Sequence, residues 1–292
     1  MSEQRCDPPA RPVQPPRLAL PPGACDCHNH VFGPAALFPY GQPRSYTPPD
    51  APVAEYVALH RTLGVSRSVI VQPSVYGRDH RATLDALRTY PAGRIRGVAV
   101  VGADTPLDEL RALQAAGIRG TRINVLFRGG ASIDDARRIA EHVAPLGWHL
   151  QLLVDVSQSQ DALREMASFP VDVVIDHMGH MPAALGTGHA AFQALLRLLQ
   201  GGRCWVKLSG PYRISAQGLP YRDVDPFVEA LVRCNPERLV WGTDWPHPAI
   251  PGTVPDDGAL VDLLATWLPD ERLRRQVLVD NPARLYGFPR AP

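Results

Sequence analysis

Ten residues near the start of the chain, ACDCHNHVFG (24–33), hold two cysteines, one aspartate and two histidines. Two kinds of chemistry use such a set: a structural Cys/His metal knuckle, or one strand of an enzyme site with its reactive groups on a single face. A structural zinc site pairs a Cys-x₂₋₄-Cys with a second pair further along. Here Cys25 and Cys27 are separated by one residue, and Cys6, Cys204 and Cys234 stand alone. The strand reading is preferred. Side chains alternate along a strand with period two, which predicts Asp26, His28 and His30 on one face and Cys25, Cys27 and Asn29 on the other.

Other residues able to do chemistry fall at the ends of further apolar runs. Strand-like segments are predicted at 24–31, 67–73, 95–101, 118–125, 148–155, 172–177, 204–210 and 238–244. Between them, apolar residues at three-to-four spacing predict helices over 52–63, 79–90, 106–116, 132–144, 159–168, 189–200, 223–233 and 257–268. Eight strand–helix units with no shift in composition predict a single-domain α/β protein, a (β/α)8 TIM barrel. A doubly wound sheet would carry a glycine-rich phosphate turn after its first strand, where this chain has His28-Asn29-His30. The barrel is expected over 23–292. A proline-rich extended arm, poorly ordered, is expected over 1–22, and an extra C-terminal helix over about 270–280. Barrel enzymes place their sites at the C-terminal strand ends. That end collects His28 and His30 from strand one, Ser74 after strand two, Arg122 and Asn124 from strand four, His177 from strand six, Ser209 from strand seven and Asp244 from strand eight.

Composition narrows the partners. The formal net charge of +1 gives no support for nucleic acid or an anionic membrane. Five scattered cysteines argue against a disulfide framework and for a reducing, cytoplasmic setting. No apolar run approaches a membrane span, and the start of the chain has no apolar core of a signal peptide.

His-x-His on strand one, a histidine on strand six and an aspartate on strand eight resemble the amidohydrolase superfamily. The stretches GACDCHNHVFGP, FPYGQPRSYTPPDAP, VQPSVYGRDHRATLDAL, GIRGTRIN, VIDHMG, VWGTDWPHP and NPARLYGF, in that order from about Gly23 to Phe288, resemble the 2-pyrone-4,6-dicarboxylate lactonases. The resemblance implies hydrolysis of a carboxylate-bearing lactone in aromatic-compound catabolism. It also implies catalytic roles for His28, His30, His177 and Asp244 without an essential metal.

The residues support hydrolysis in their own right. Asp244 is the best general base, a carboxylate able to take a proton from water and return it to the leaving alkoxide. His28, His30 and His177 would either polarise the carbonyl or, with Asp244, bind one divalent ion such as Zn²⁺. The resemblance disfavours a two-metal site: binuclear sites of the superfamily it resembles bridge their ions with a strand-four lysine or carboxylate, strand four here has neither, and the only lysine, Lys207, lies on strand seven. His149 begins strand five, more than about 10 Å below the mouth. Arg122, Arg128 and Arg213 would offer guanidinium forks to an anionic substrate, and the resemblance adds Ser74 and Tyr46 as hydrogen-bonding groups. Leu153 and His180 depart from the lactonase pattern, pointing to a related carboxylated lactone. The alternatives are a zinc-dependent aromatic-acid decarboxylase and a sugar-lactone hydrolase or isomerase; the expected assembly is a monomer or homodimer.

Overall fold

The computed structural model describes residues 4–124, 132–250 and 252–289. The main sheet has eight strands: β1 (Cys25–Asn29), β2 (Arg67–Val71), β3 (Ile95–Ala99), β4 (Ile118–Asn124), β5 (His149–Leu153), β6 (Val173–Ile175), β7 (Cys204–Leu208) and β8 (Leu239–Trp241). Between successive strands lie α1 (Val53–Leu63), α2 (Arg81–Thr89), α3 (Leu107–Ala115), α4 (Ile133–Val143), α5 (Gln160–Met166), α6 (Ala190–Gln200) and α7 (Asp225–Cys234). The sheet runs in chain order from β1 to β8. Just past β8, Trp245 bridges in parallel to Asn29 of β1. A parallel sheet that returns to its first strand, with a helix after each strand, is a (β/α)8 barrel.

By internal contacts the chain divides into two compact units, Met1–Gly97 with Trp241–Pro292, and Val98–Val240. In the first, β1 pairs with β2 in parallel. In the second, β4–β5, β5–β6 and β6–β7 are parallel pairs. Every residue of β2, β5 and β7 is buried, as expected for strands covered on both faces, which read as nearly unbroken apolar runs. The polar interruptions, Gln151 in β5 and Lys207 in β7, therefore stand out. Helix ends follow local chemistry. Ser132 and Asp135 form a reciprocal capping box at the start of α4, and Gly64 (φ 76°) closes α1 in the left-handed conformation.

Four expected strands stop short of functional residues: strand one ends at Asn29, one residue before His30, strand seven at Leu208, one before Ser209, and two others end sooner. Strand six was expected through His177 but ends at Ile175, and strand eight was expected through Asp244 but ends at Trp241. The reason is backbone: His177 (φ 48°), Met178 (φ 55°) and Asp244 (φ 67°) are left-handed, which no strand accommodates. After β8, the helix expected over 257–268 is two pieces, α8 (Asp257–Asp262) and α9 (Leu264–Trp267). The closing segment comprises α10 (Glu271–Arg275), a π-helical turn (Gln276–Asp280) and α11 (Asn281–Tyr286). Beyond it Phe288 lies between two arginines of the strand starts, Arg67 and Arg96, whose guanidinium carbons sit 5.5 and 4.8 Å from its ring centre.

Residues 4–6, Gln14, Arg17 and Leu18 of the proline-rich arm bond to other segments. Gln4–Arg5 pairs in parallel with Tyr46–Thr47, and Ala249 N donates to Cys6 Sγ at 3.2 Å. Gln14 N donates to Asp256 at 3.0 Å, and Arg17 N and Leu18 N donate to Asp262 at 2.7 and 2.9 Å. The acceptors are Asp262 of α8 and Asp256 at its cap. Among the described residues, no helix is long and apolar enough to cross a membrane.

Candidate active site

In the first unit the site grows from a fault in β1. Cys25 pairs with Arg67 and Asp26 with Ser68, but Asn29 pairs with Ile70, so three residues of β1 advance against two of β2. This is a β-bulge, and it shifts the alternation of side chains by one. Asp26, expected on the same face as the histidines, is instead turned toward α1. Its carboxylate accepts from Tyr56 Oη (3.2 Å) and His60 Nε2 (3.3 Å), from Thr243 Oγ1 (2.6 Å) and N (3.0 Å), and from His28 N (3.1 Å). Burial pushes the Asp26 pKa up, but the His60 contact and the two Thr243 hydrogen bonds outweigh it and hold the carboxyl below its ordinary value.

His28 and His30 face the other way, toward Asp244. Their ring centres are 5.1 Å apart, edge to face. Asp244 Oδ1 lies 3.7 Å from His28 Nε2 and 3.9 Å from His30 Nε2, with all three side chains buried. The segment Gly242-Thr243-Asp244 positions the carboxylate. Gly242 lets the chain pass against His28, Thr243 anchors on Asp26, and Asp244 N donates to His28 O at 2.7 Å. One residue on, His30 N donates to Trp245 O at 2.7 Å, so the backbone clamps both sides of the three side chains. Left-handed backbone at a non-glycine residue costs about 1–3 kcal/mol and persists where surrounding contacts over-determine it, as they do at Asp244.

The tautomer of His30 follows from its partner. Nδ1 lies 2.8 Å from the Val71 carbonyl, which can only accept, so Nδ1 carries the hydrogen. Nε2 of the neutral ring then points a lone pair at a carboxylate oxygen. A proton that makes the ring an imidazolium, a cation, or a water donating to both would each make that arrangement favourable. The three donor atoms lie within 4.8 Å of one another. Tetrahedral zinc with ligand bonds of about 2.0–2.2 Å places its ligand atoms about 3.3 Å apart, so a small contraction would bring these donors into range. The set fits a divalent ion.

Nearby in the first unit, Ser74 begins a 3₁₀ turn after β2 and its Oγ donates to Tyr46 Oη at 3.3 Å. These two expected substrate-binding side chains are in contact.

The second unit carries the remaining expected residues. His177 Nδ1 lies 2.9 Å from Ser209 Oγ. Gly210 is the residue that admits the ring, since a β-carbon there would stand 2.9 Å from His177 Nδ1. Arg122 on β4 is buried, and its Nε donates to Asp176 Oδ2 at 3.1 Å. Arg213 is half-buried in the turn Pro211–Arg213 and lies over the Tyr212 ring, 5.5 Å from its centre. Arg128 falls outside the described residues. His149, at the first residue of β5, is buried and its pKa is pushed down to about 3, first by burial and then by Lys207. Cys25 and Cys27 are buried free thiols.

Sequence reasoning missed Asp26, Gly242 and Thr243 as supports of the Asp244 cluster, and Asp176, Gln151 and Lys207 as partners of Arg122. The signal for the last three was present: each is a polar residue in or just beyond an otherwise apolar strand.

Comparison with known proteins shows which family the chain belongs to. The chain is 40% identical over 290 residues to a 4-sulfomuconolactone hydrolase of Rhizobium radiobacter, covering 97% of this chain and 96% of that one. It is 39% identical over 282 residues to a 2-pyrone-4,6-dicarboxylate hydrolase of Comamonas testosteroni, covering 93% and 92%. A crystal structure of an Agrobacterium tumefaciens protein superposes with a TM-score of 0.84 at 30% identity, over 94% of this chain and 100% of that one. The family model for amidohydrolases matches residues 25–288, from the first residue of β1 to the aromatic ring held by Arg67 and Arg96. The chain belongs to the amidohydrolase family.

Proposed function

We propose that this protein hydrolyses a small carboxylate-bearing lactone of the 2-pyrone-4,6-dicarboxylate kind, in the catabolism of aromatic compounds. The observation that carries this reading is the buried carboxylate of Asp244 between the Nε2 atoms of His28 and His30, at 3.7 and 3.9 Å. The names of two relatives at 39–40% identity support the substrate class.

In this reading Asp244 takes a proton from water as its oxygen bonds to the lactone carbonyl carbon. His30, protonated at Nε2 and held by the Val71 carbonyl at Nδ1, donates toward the carbonyl oxygen where negative charge develops. The ring C–O bond then breaks, and Asp244 returns the proton to the leaving oxygen, giving the ring-opened acid. His28 holds Asp244 in place through its backbone carbonyl and faces it through Nε2. His177 is proposed as the third imidazole of the reaction, from its place after β6 and the family likeness. Where a divalent ion such as zinc is bound, His28, His30 and Asp244 would hold it, and it would supply Lewis acidity toward the carbonyl. Arg122, Arg128 and Arg213 are proposed to bind the substrate carboxylates, with Ser74 and Tyr46 as further hydrogen-bonding groups.

The test compares turnover of 2-pyrone-4,6-dicarboxylate and 4-sulfomuconolactone with that of an uncharged sugar lactone and a neutral diester of the pyrone. Replacing any one of the three arginines by Met should lower kcat/KM on charged lactones about ten- to hundredfold, the loss of one charge-assisted hydrogen bond. Neutral lactones should be little affected. Equal activity on charged and neutral lactones, in the parent protein and in all three variants, overturns the substrate class.

A further inference from the structure

A lysine sits where an apolar residue would be expected. Lys207, the only lysine in the chain, lies in the middle of β7 with no exposed surface. Its Nζ is 2.8 Å from Gln151 Oε1 and 3.5 Å from Asp176 Oδ1. Gln151 Nε2 donates to Asp176 Oδ2 at 3.0 Å, and Arg122 Nε donates to the same oxygen at 3.1 Å. The chain of donors and acceptors is self-consistent. The amide nitrogen must face the carboxylate, which leaves the amide oxygen for the ammonium.

Burying an ammonium group is costly unless it is paired, and Asp176 already has the Arg122 guanidinium and the Gln151 amide without it. The difference Lys207 makes is in charge. Arg122 with Asp176 alone is a neutral pair, which keeps the Nη donors of Arg122 but no net charge to attract an anion. With Lys207, the described residues Arg122, Asp176, Gln151 and Lys207 hold two cations against one carboxylate. His149, pushed down to about 3, stays neutral beside it and does not alter the balance.

We infer that Lys207 is a specificity-determining residue: it takes up the charge of Asp176, so that Arg122 retains surplus positive charge for an anionic group of the substrate. Lys207 acts through Asp176 and Gln151 and is a positioning residue. The inference rests on the reading that Arg122 meets a substrate anion, and it concerns binding, separable from turnover.

The test is calorimetric titration with benzene-1,3-dicarboxylate, a planar dianion with no ester bond to hydrolyse. One unit charge at this range in a partly screened interior changes affinity about ten- to fiftyfold. Lys207→Met, which makes the cluster neutral, should weaken binding by that factor. Lys207→Met combined with Asp176→Asn restores the surplus charge and should recover most of the lost affinity, an effect that a purely structural lysine would not produce. Asp176→Asn alone leaves two uncompensated cations and should bind the dianion more tightly than the parent protein; this carries the test if Lys207→Met does not fold. The inference is overturned if the parent protein does not bind the dianion, if Lys207→Met binds it as well as the parent, if the double variant stays as weak as the single one, or if Asp176→Asn fails to bind more tightly. Lactone turnover is measured separately, so an unaffected Lys207→Met in an active lactonase sinks this inference alone, and dianion binding without lactonase activity sinks only the proposed reaction.

Discussion

Gly242 stands against His28 with no room for a side chain between them: a β-carbon there would lie 2.5 Å from the His28 amide nitrogen and 2.6 Å from its Cβ. The obstacle is backbone and cannot rotate away. Gly242→Ala should therefore push the end of β8 off β1 and carry Asp244 with it. Overpacking of this kind costs about 1–3 kcal/mol, and misplacing the reacting group by a fraction of an ångström should lower turnover about tenfold or more. Chemical unfolding and kcat measured together check it; a variant with parental stability and turnover would show that the two strands yield a methyl's width.

Asp244→Asn keeps the shape of the side chain and removes its ability to accept a proton at neutral pH. The hydrogen bond from Asp244 N to His28 O and the anchor of Thr243 on Asp26 involve none of the lost charge. The fold should survive, with a cooperative unfolding transition, while lactone turnover falls by about 10²–10⁴, the range for a general base. Unchanged turnover would remove Asp244 from the reaction.

His149 makes stability depend on pH in a definite direction. Its native pKa, about 3, lies below the ordinary value of about 6.5 that applies when the chain is unfolded. Between those values the unfolded chain binds a proton that the native protein does not, so stability falls as pH drops from about 6.5 toward 3, by up to about 1.4 kcal/mol per pH unit from this one group. Above about 6.5 the effect vanishes. His149→Gln should reduce the fall in unfolding free energy between pH 6 and pH 4, measured by urea titration at each pH. An identical fall in both proteins would mean that His149 is not held neutral.

Phe288 locks the end of the chain to the starts of two strands. Arg67 donates through Nη2 to Pro289 O at 2.8 Å, and Arg96 through Nη2 to Gly287 O at 3.1 Å, while both guanidinium groups lie over the ring. Phe288→Ala removes a buried ring and two cation–π contacts together and should cost about 3–5 kcal/mol. Thermal unfolding reads the loss directly, and a shift of a degree or less would show the tail to be ornamental to the fold.

The sequence made the barrel legible because parallel strands covered on both faces read as short apolar runs between amphipathic helices. All eight strands lie where those runs lie. The runs also located the neighbourhoods of His28, His30 and Asp244, of which His28 lies within β1, His30 one residue past it and Asp244 three residues past β8. What could not be read was anything that depends on a partner strand. The bulge in β1 exists only as a mismatch against β2, Asp26 with Ser68 and then Asn29 with Ile70, and no periodicity within 24–31 announces it. The anchoring of the arm depends on Asp256 and Asp262, more than two hundred residues away. Lys207 and Gln151 were visible as polar interruptions, yet that both serve Asp176, which holds Arg122, is a fact of three-dimensional adjacency.

The bulge also fixes the acidity of the cluster around Asp244. With ordinary alternation along β1, Asp26 would project beside His28 and His30, and two imidazoles would face two carboxylates. One extra residue in the strand diverts Asp26 to Tyr56, His60 and Thr243 and leaves a single carboxylate facing the pair. With the histidines in any given protonation state, a cluster with one acid carries one negative charge fewer than a cluster with two, and so repels an anion less. The backbone irregularity thus removes one negative charge from the neighbourhood of Asp244, and it does so without changing a single side chain.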